Sequence, residues 1–212
     1  MSFKVDFAII GAMKSGTTDL AMRVSAHPGV CFCAEKEPHF FTRNPDWRDK
    51  LESYHDLYQP LAGQIAGEAS TSYSFLGEYP EVVDRLYAYN PDIKLIFMVR
   101  DPIDRIKSHY AHRLMHGIAD LNAERELEIR KAEYLNRSRY GHTVEQYRRV
   151  FPDSQLLILE FQQYTADPEG IMATVFEFLG LSPGAAPSTS ARNTSTGSNR
   201  SQWSPIYYVD RI

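Results

Sequence analysis

Apolar residues fall along this chain in short continuous runs, separated by longer stretches in which they recur every three or four positions. The runs at 5–10, 30–33, 65–68, 93–99 and 155–160 read as strands. Leu95-Ile96-Phe97-Met98-Val99 is an unbroken apolar block, the pattern of a central parallel strand covered on both faces. Helical spacing falls at about 17–26, 46–58, 79–89, 102–115, 121–135, 138–150 and 168–180; in the second of these Trp47, Leu51, Tyr54 and Tyr58 keep it. Strands alternating with helices imply βαβ units, so the expected class is α/β, a three-layer fold with a central parallel sheet and helices on both faces. Ligands gather at the carboxyl ends of the strands in such sheets, so the segments just after each strand carry the candidate chemistry.

Two regions depart from this alternation. Residues 121–137 are rich in Glu and Arg with few apolar positions, the pattern of a solvated helix with Glu126 and Arg130 as a surface pair and no chemistry of its own. From Ser182 to Ser204 the chain is polar and rich in Ser, Thr, Asn, Gly and Pro, a loop rather than an element. The apolar stretch Trp203-Ser204-Pro205-Ile206-Tyr207-Tyr208 then has nothing after it to pack against, which fits either docking on the core or a chain that continues beyond Ile212. At 212 residues a single domain over 1–212 is the simplest reading.

Charge and cysteines narrow the setting. A net charge of −4 argues against a general nucleic-acid binder. No apolar run is long enough to span a membrane, and Met1-Ser2-Phe3-Lys4 leads straight into a strand rather than a signal peptide, so a soluble, cytoplasmic protein is expected. Cys31 and Cys33 form a lone C-x-C, too sparse for a zinc site or a disulfide framework, and read as apolar positions in a short strand.

The sharpest motif is Gly11-Ala12-Met13-Lys14-Ser15-Gly16-Thr17-Thr18, between the first strand and the first helix. A strand, a Gly-bounded turn and a helix start make an anion cradle, because backbone N–H groups converge there and the helix dipole favours negative charge. Gly11 and Gly16 have the spacing of a P-loop, but Thr17 stands where that motif has its lysine, and the lysine sits inside the loop at Lys14. Such a loop suits one phosphate with a reacting group beside it. After the fourth strand comes Arg100-Asp101-Pro102-Ile103-Asp104-Arg105-Ile106-Lys107-Ser108-His109-Tyr110. Asp101 reads as an N-cap, Pro102 as the first helical residue and Asp104 as a first-turn acid. Arg100 and Ser108 have no such structural duty and suggest a second anion; an NTPase would place an Asp here for Mg²⁺.

Together the two segments resemble the signatures of sulfotransferases that use 3′-phosphoadenosine 5′-phosphosulfate (PAPS) and release 3′-phosphoadenosine 5′-phosphate (PAP). The resemblance implies a P-loop-like fold, with Lys14, Ser15, Gly16, Thr17 and Thr18 at the 5′-phosphosulfate, Arg100 and Ser108 at the 3′-phosphate, and no metal. Glu35-Lys36-Glu37-Pro38-His39-Phe40-Phe41 is similar to the E-x-x-F-F segment of the heparan sulfate and related carbohydrate enzymes, which implies Glu37 as catalytic base and His39 as an active-site histidine. Gly67-Glu68-Ala69-Ser70-Thr71-Ser72-Tyr73 resembles their E-K-[ST]-P-x-Y cleft segment, with Ala69 for the lysine and Thr71 for the proline; the missing lysine weakens the case for a polyanionic acceptor. Thr196-Gly197-Ser198-Asn199-Arg200 stands where the family has a loop closing over the nucleotide, so 182–204 is expected to cap it and Arg200 to touch a phosphate.

The implied reaction is in-line transfer of a sulfuryl group to a hydroxyl or amine of a carbohydrate or small molecule, with Tyr54, His55, Tyr73 and 111–137 as candidate cleft residues. A P-loop kinase or NTPase, and a non-catalytic nucleotide-binding module of the same fold, stand as alternatives. The identity of the acceptor and the oligomeric state are open.

Overall fold

The computed structural model describes residues 3–182. Five strands, β1 (Phe7–Gly11), β2 (Val30–Phe32), β3 (Ile65–Ala69), β4 (Lys94–Val99) and β5 (Leu156–Glu160), form one sheet in the order β2-β3-β1-β4-β5. Every pairing is parallel, with Phe7 opposite both Gly67 and Lys94, and Val99 opposite Glu160. The fold expected from the hydrophobic pattern is the one observed.

Period-two alternation within the central strands divides the core. Ala8, Ile10, Leu95 and Phe97 face one layer; Phe7, Ile9, Ile96 and Met98 face the other. The second layer is closed by α1 (Thr17–Ser25) and α10 (Pro168–Leu179) through Leu20, Ala21, Val24, Met172, Val175 and Leu179. The first is closed by the short helices α2 (Phe40–Arg43) and α3 (Leu51–His55), by α4 (Val82–Tyr89), and by Tyr147 from α8 (Tyr140–Arg148). Phe7 makes the central position unforgiving, since a Cβ at Gly67 would fall about 2.0 Å from its ring.

Beside the short α2, which the sequence pattern does not predict, three elements differ from expectation. The helix expected over 46–58 shrinks to α3, because Trp47 and Tyr58 reach the core from three-residue turns: the N–H groups of Lys50 and Tyr58 donate to the carbonyls of Trp47 and His55. A short helix, α9 (Phe161–Ala166), stands between β5 and α10, stopped by Asp167, which caps α10 by accepting from the Gly170 N–H at 2.9 Å. The helix expected over 121–135 breaks at Arg130 into α6 (Ala123–Ile129) and α7 (Lys131–Asn136). There Glu126 is buried rather than solvated, held by Arg113 Nε at 2.8 Å, the Asp120 N–H at 2.9 Å and the Tyr134 hydroxyl at 3.2 Å. Arg130 does reach Glu126, but at 3.6 Å from the rim of that cluster.

Arg113 belongs to α5 (Pro102–Met115), whose start follows the sequence: the Asp101 carboxylate accepts from the Asp104 N–H at 2.9 Å and Pro102 opens the helix. His109 on the same helix is 2 % exposed, its ring against Tyr134 and its Nε2 3.6 Å from Glu133. Burial first, then the charges of Arg105, Arg137, Arg113 and His112, push its pKa down to about 3. The folded state therefore holds His109 neutral, while the unfolded chain takes up a proton below 6.5, so stability is lost as pH falls from 6.5 toward 3. Between pH 6.5 and about 5 this group should account for about 1–2 kcal/mol. Urea unfolding across that range should show a shallower acid decline in His109→Gln than in wild type; parallel curves would remove His109 as the cause.

Candidate active site

All five strands end on the same side of the sheet, and the segments following β1, β2, β3 and β4 line one cleft. The loop after β1 turns back into α1 at Gly16, whose φ of 85° and whose missing side chain are both required, since a Cβ would meet the Phe161 ring at about 2.8 Å. Thr17 and Thr18 open α1, where first-turn N–H groups have no helical acceptor, and both line the cleft. Ser15 is not among the lining residues: it is fully buried and its N–H donates to the Ala12 carbonyl at 3.2 Å.

Lys14 adopts φ 66°, and its carbonyl accepts a hydrogen bond from Arg100 Nη1 at 3.2 Å. Its side chain lines a cleft of about 330 Å³ together with Met13, Lys36, Glu37, His39, Thr71, Phe75 and His112. Burial lowers the Lys14 pKa below 10.5, with further lowering from Arg100 and Lys36 and an opposing effect from Glu37. Arg100 leaves the end of β4 and stacks its guanidinium over the Phe161 ring, 4.7 Å from the centroid. Phe161 thus underlies both Gly16 and Arg100, a role that nothing in its local sequence signals.

After β2 the chain carries two more left-handed residues, Glu37 at φ 51° and His39 at φ 52°. With Lys14 they are the only non-glycine residues of positive φ among the described residues, and all three line this cleft. Strain of this kind persists where surrounding contacts over-determine it. Those contacts come from the segment after β3. Thr71 Oγ1 donates to Glu37 Oε2 at 2.8 Å; Ser72 Oγ bonds His39 Nδ1 at 2.7 Å; Ser70 Oγ accepts from the His39 N–H at 2.9 Å. His39 Nε2 lies 3.4 Å from Glu37 Oε2. Burial lowers the His39 pKa below 6.5 against the pull of Glu37. With Nε2 carrying the proton toward Glu37, Nδ1 is left to accept from the Ser72 hydroxyl.

Ser70 is fixed in turn by Glu68, a fully buried carboxylate that accepts from Ser70 Oγ at 2.6 Å, from Tyr73 at 2.8 Å and from Tyr54 at 2.5 Å. Desolvation raises its pKa above 4.5, partly offset by those three hydroxyls. Tyr54 and Tyr73 are consequently core residues, not cleft residues. His55 lies at the opposite end of the sheet, where its Nε2 meets the Tyr89 hydroxyl (2.9 Å) that also accepts from the Val5 N–H. Of the 111–137 region, His112 does reach the cleft, its pKa pushed down to about 4 by burial and by Lys14. Ser108 sits one turn before it on the same face of α5, half-buried.

Arg200, and the expected capping loop beyond Ser182, lie outside the described residues. Cys31 and Cys33 are free, as expected of strand positions, and burial drives the Cys33 pKa up to about 12. A larger depression of about 640 Å³, lined by Lys4, Asp6, Asp92 and Lys94, opens at the far end of the sheet from the strand-end loops and contains none of the strained residues. No helix among the described residues is long and apolar enough to cross a membrane.

Residues 4–204 match the family model of the sulfotransferase domain. The chain is 34% identical to mouse heparan sulfate glucosamine 3-O-sulfotransferase 3B1 over 82% of its own length and 45% of that protein's. It is 30% identical to mouse carbohydrate sulfotransferase 15 over 84% of its length and 44% of that protein's. It thus spans less than half the length of these curated relatives. A solved sulfotransferase from Alicyclobacillus acidocaldarius superposes with a TM-score of 0.77 at 28% identity, covering 89% of this chain and 86% of that one. A mouse sulfotransferase solved in complex with PAP shares the fold at a TM-score of 0.58 and 16% identity, over 88% of this chain and 61% of that one. Two anion segments, a strained Glu-x-His segment and these likenesses agree, and the chain belongs to the sulfotransferase family.

Proposed function

We propose that this chain transfers the sulfuryl group of PAPS to a hydroxyl or amine of a carbohydrate or small-molecule acceptor, with Glu37 as general base. The observation that supports this reading most is the convergence of Lys14, Glu37 and His39, all left-handed, on one cleft. The cleft suits the nucleotide: first-turn N–H groups of Thr17 and Thr18 and the Lys14 ammonium would hold the 5′-phosphate end, and Arg100 with Ser108 the 3′-phosphate. PAPS supplies an activated sulfuryl group on a phosphate leaving group. Glu37, steadied by Thr71 and His39, takes the acceptor's proton as it attacks. Lys14, partly buried, stabilises the charge that develops on the leaving oxygen. The relatives' names favour a carbohydrate hydroxyl among the acceptors.

A transfer assay with radiolabelled PAPS and a panel of a neutral oligosaccharide, a glycosaminoglycan, a small alcohol and an amine tests the reading. PAP that stabilises the protein while no acceptor is labelled would favour the non-catalytic module. Recognition of the 3′-phosphate has its own test. Arg100→Ala should weaken PAP about 10- to 100-fold, the worth of a charge-assisted contact, and cost AMP clearly less, because the bond to the Lys14 carbonyl is the only loss both nucleotides share. Equal losses for both nucleotides would make Arg100 a structural residue.

A further inference from the structure

The contacts made by Glu37 gather on one of its two oxygens. Thr71 Oγ1 donates to Oε2 at 2.8 Å, and His39 Nε2 stands 3.4 Å from the same atom. That second contact has a sign. It attracts when Nε2 bears the ring proton and repels when Nε2 presents its lone pair to the carboxylate. Which of the two holds depends on the other ring nitrogen, and Nδ1 meets Ser72 Oγ at 2.7 Å.

Ser72 can donate to Nδ1 or accept from it, and the choice passes to its neighbour. Thr42 Oγ1, on α2, lies 2.8 Å from Ser72 Oγ and 2.9 Å from the His39 carbonyl, with one hydrogen to give. The carbonyl already accepts from the N–H groups of Thr42 at 3.1 Å and Arg43 at 2.9 Å, which occupy both its lone pairs. The Thr42 hydrogen therefore goes to Ser72, the Ser72 hydrogen to Nδ1, and the ring proton stays on Nε2. The carboxylate of Glu37 favours the same order. Ser72 and Thr42 are both buried and neither is among the cleft-lining residues, so their effect reaches a substrate through His39.

We propose that Ser72 is a positioning residue for the transfer: backed by Thr42, its hydroxyl holds the His39 proton on Nε2, so that Thr71 and His39 both engage Glu37 Oε2 and Oε1 is left to take the acceptor's proton. That proton leaves the acceptor's hydroxyl or amine for Oε1 as the bond to sulfur forms. The bond from sulfur to the phosphate oxygen breaks, and its electron pair leaves with the nucleotide. This inference rests on the reading of Glu37 as general base given above.

Ser72→Ala removes the hydroxyl and keeps the backbone. With the acceptor labelled in the transfer panel, it should lower kcat about tenfold, the worth of one hydrogen bond, and leave PAP affinity and the acceptor's KM within about twofold. In a His39→Ala background the same substitution should cost nothing further, because it acts only through the ring; a general packing defect would cost the same in both backgrounds. Nitrogen NMR of the wild-type imidazoles at about pH 8, above the lowered pKa of His39, should place its proton on Nε2, the signal being assigned by its absence from His39→Ala. A proton on Nδ1 in the wild type overturns the proposal whether or not the variants fold. So does a Ser72→Ala kcat within about twofold of wild type, or a loss that multiplies with that of His39→Ala. If Glu37→Gln keeps its turnover, the general-base reading falls and this inference with it. If Glu37→Gln is slow and Ser72→Ala is not, only the role of Ser72 falls.

Discussion

Glu37→Gln is expected to lower kcat for sulfuryl transfer by about 10²–10⁴-fold, the range spanned by general base catalysis. The variant preserves shape and polarity: Gln accepts the Thr71 hydroxyl through its amide oxygen as Glu37 does at 2.8 Å, and the backbone at φ 51° is unchanged. What it lacks is a site for the acceptor's proton. PAP affinity should stay within about threefold, because the proposed mechanism gives Glu37 to the acceptor and the nucleotide to other groups. Single-turnover transfer rates beside calorimetric PAP titration separate the two quantities. A kcat within about threefold of wild type would sink the assignment of Glu37 as base.

Lys14→Ala is the second large effect, an expected loss of about 10²–10³ in kcat, comparable to deleting one preorganised donor to a developing charge. The loop should survive, because Lys14 is held through its carbonyl by Arg100 and its side chain points into the cleft. Alanine must still adopt φ 66°, so the variant's melting temperature has to be measured beside its rate. PAP binding should weaken less than turnover, since Thr17, Thr18 and Arg100 remain. The lysine's lowered pKa adds a directional check: with charge required, wild-type activity should decline on the alkaline side below pH 10.5. Unchanged turnover in Lys14→Ala would remove the lysine from the chemistry.

What could be read from the sequence was what short stretches of chain encode on their own. The Asp101-Pro102 helix start, the Gly-bounded loop and the buried run 94–99 each carry their cause within a few residues, and the structure reproduces them. Residues whose role depends on distant partners were not legible. Glu126 belongs to a charged stretch and looks solvated until α5 brings Arg113 against it. Tyr54 and Tyr73 suit a cleft wall until Glu68 is seen to collect both hydroxyls in the core. Phe161 has no motif, yet it underlies Gly16 and Arg100 together because β5 ends beside them. Thr71 is the instructive case. In the sequence it is a departure from the resembled family segment; in the structure its hydroxyl is what holds Glu37.

The buried carboxylate of Glu68 has a consequence for how such a site diversifies. It holds Ser70, Ser70 holds the His39 backbone, and His39 stands beside Glu37, so one interior carboxylate underwrites both the packing of the first core layer and the posture of Glu37 and His39. Substitutions along that chain would be tested by selection for folding and for turnover at once, leaving little room for neutral drift. Met13, Phe75 and His112 border the same cleft and are not links of that series of bonds. If the proposed transfer holds, a lineage exploring new acceptors would be expected to vary there first, keeping Glu37 and His39 while rewriting what is presented to them.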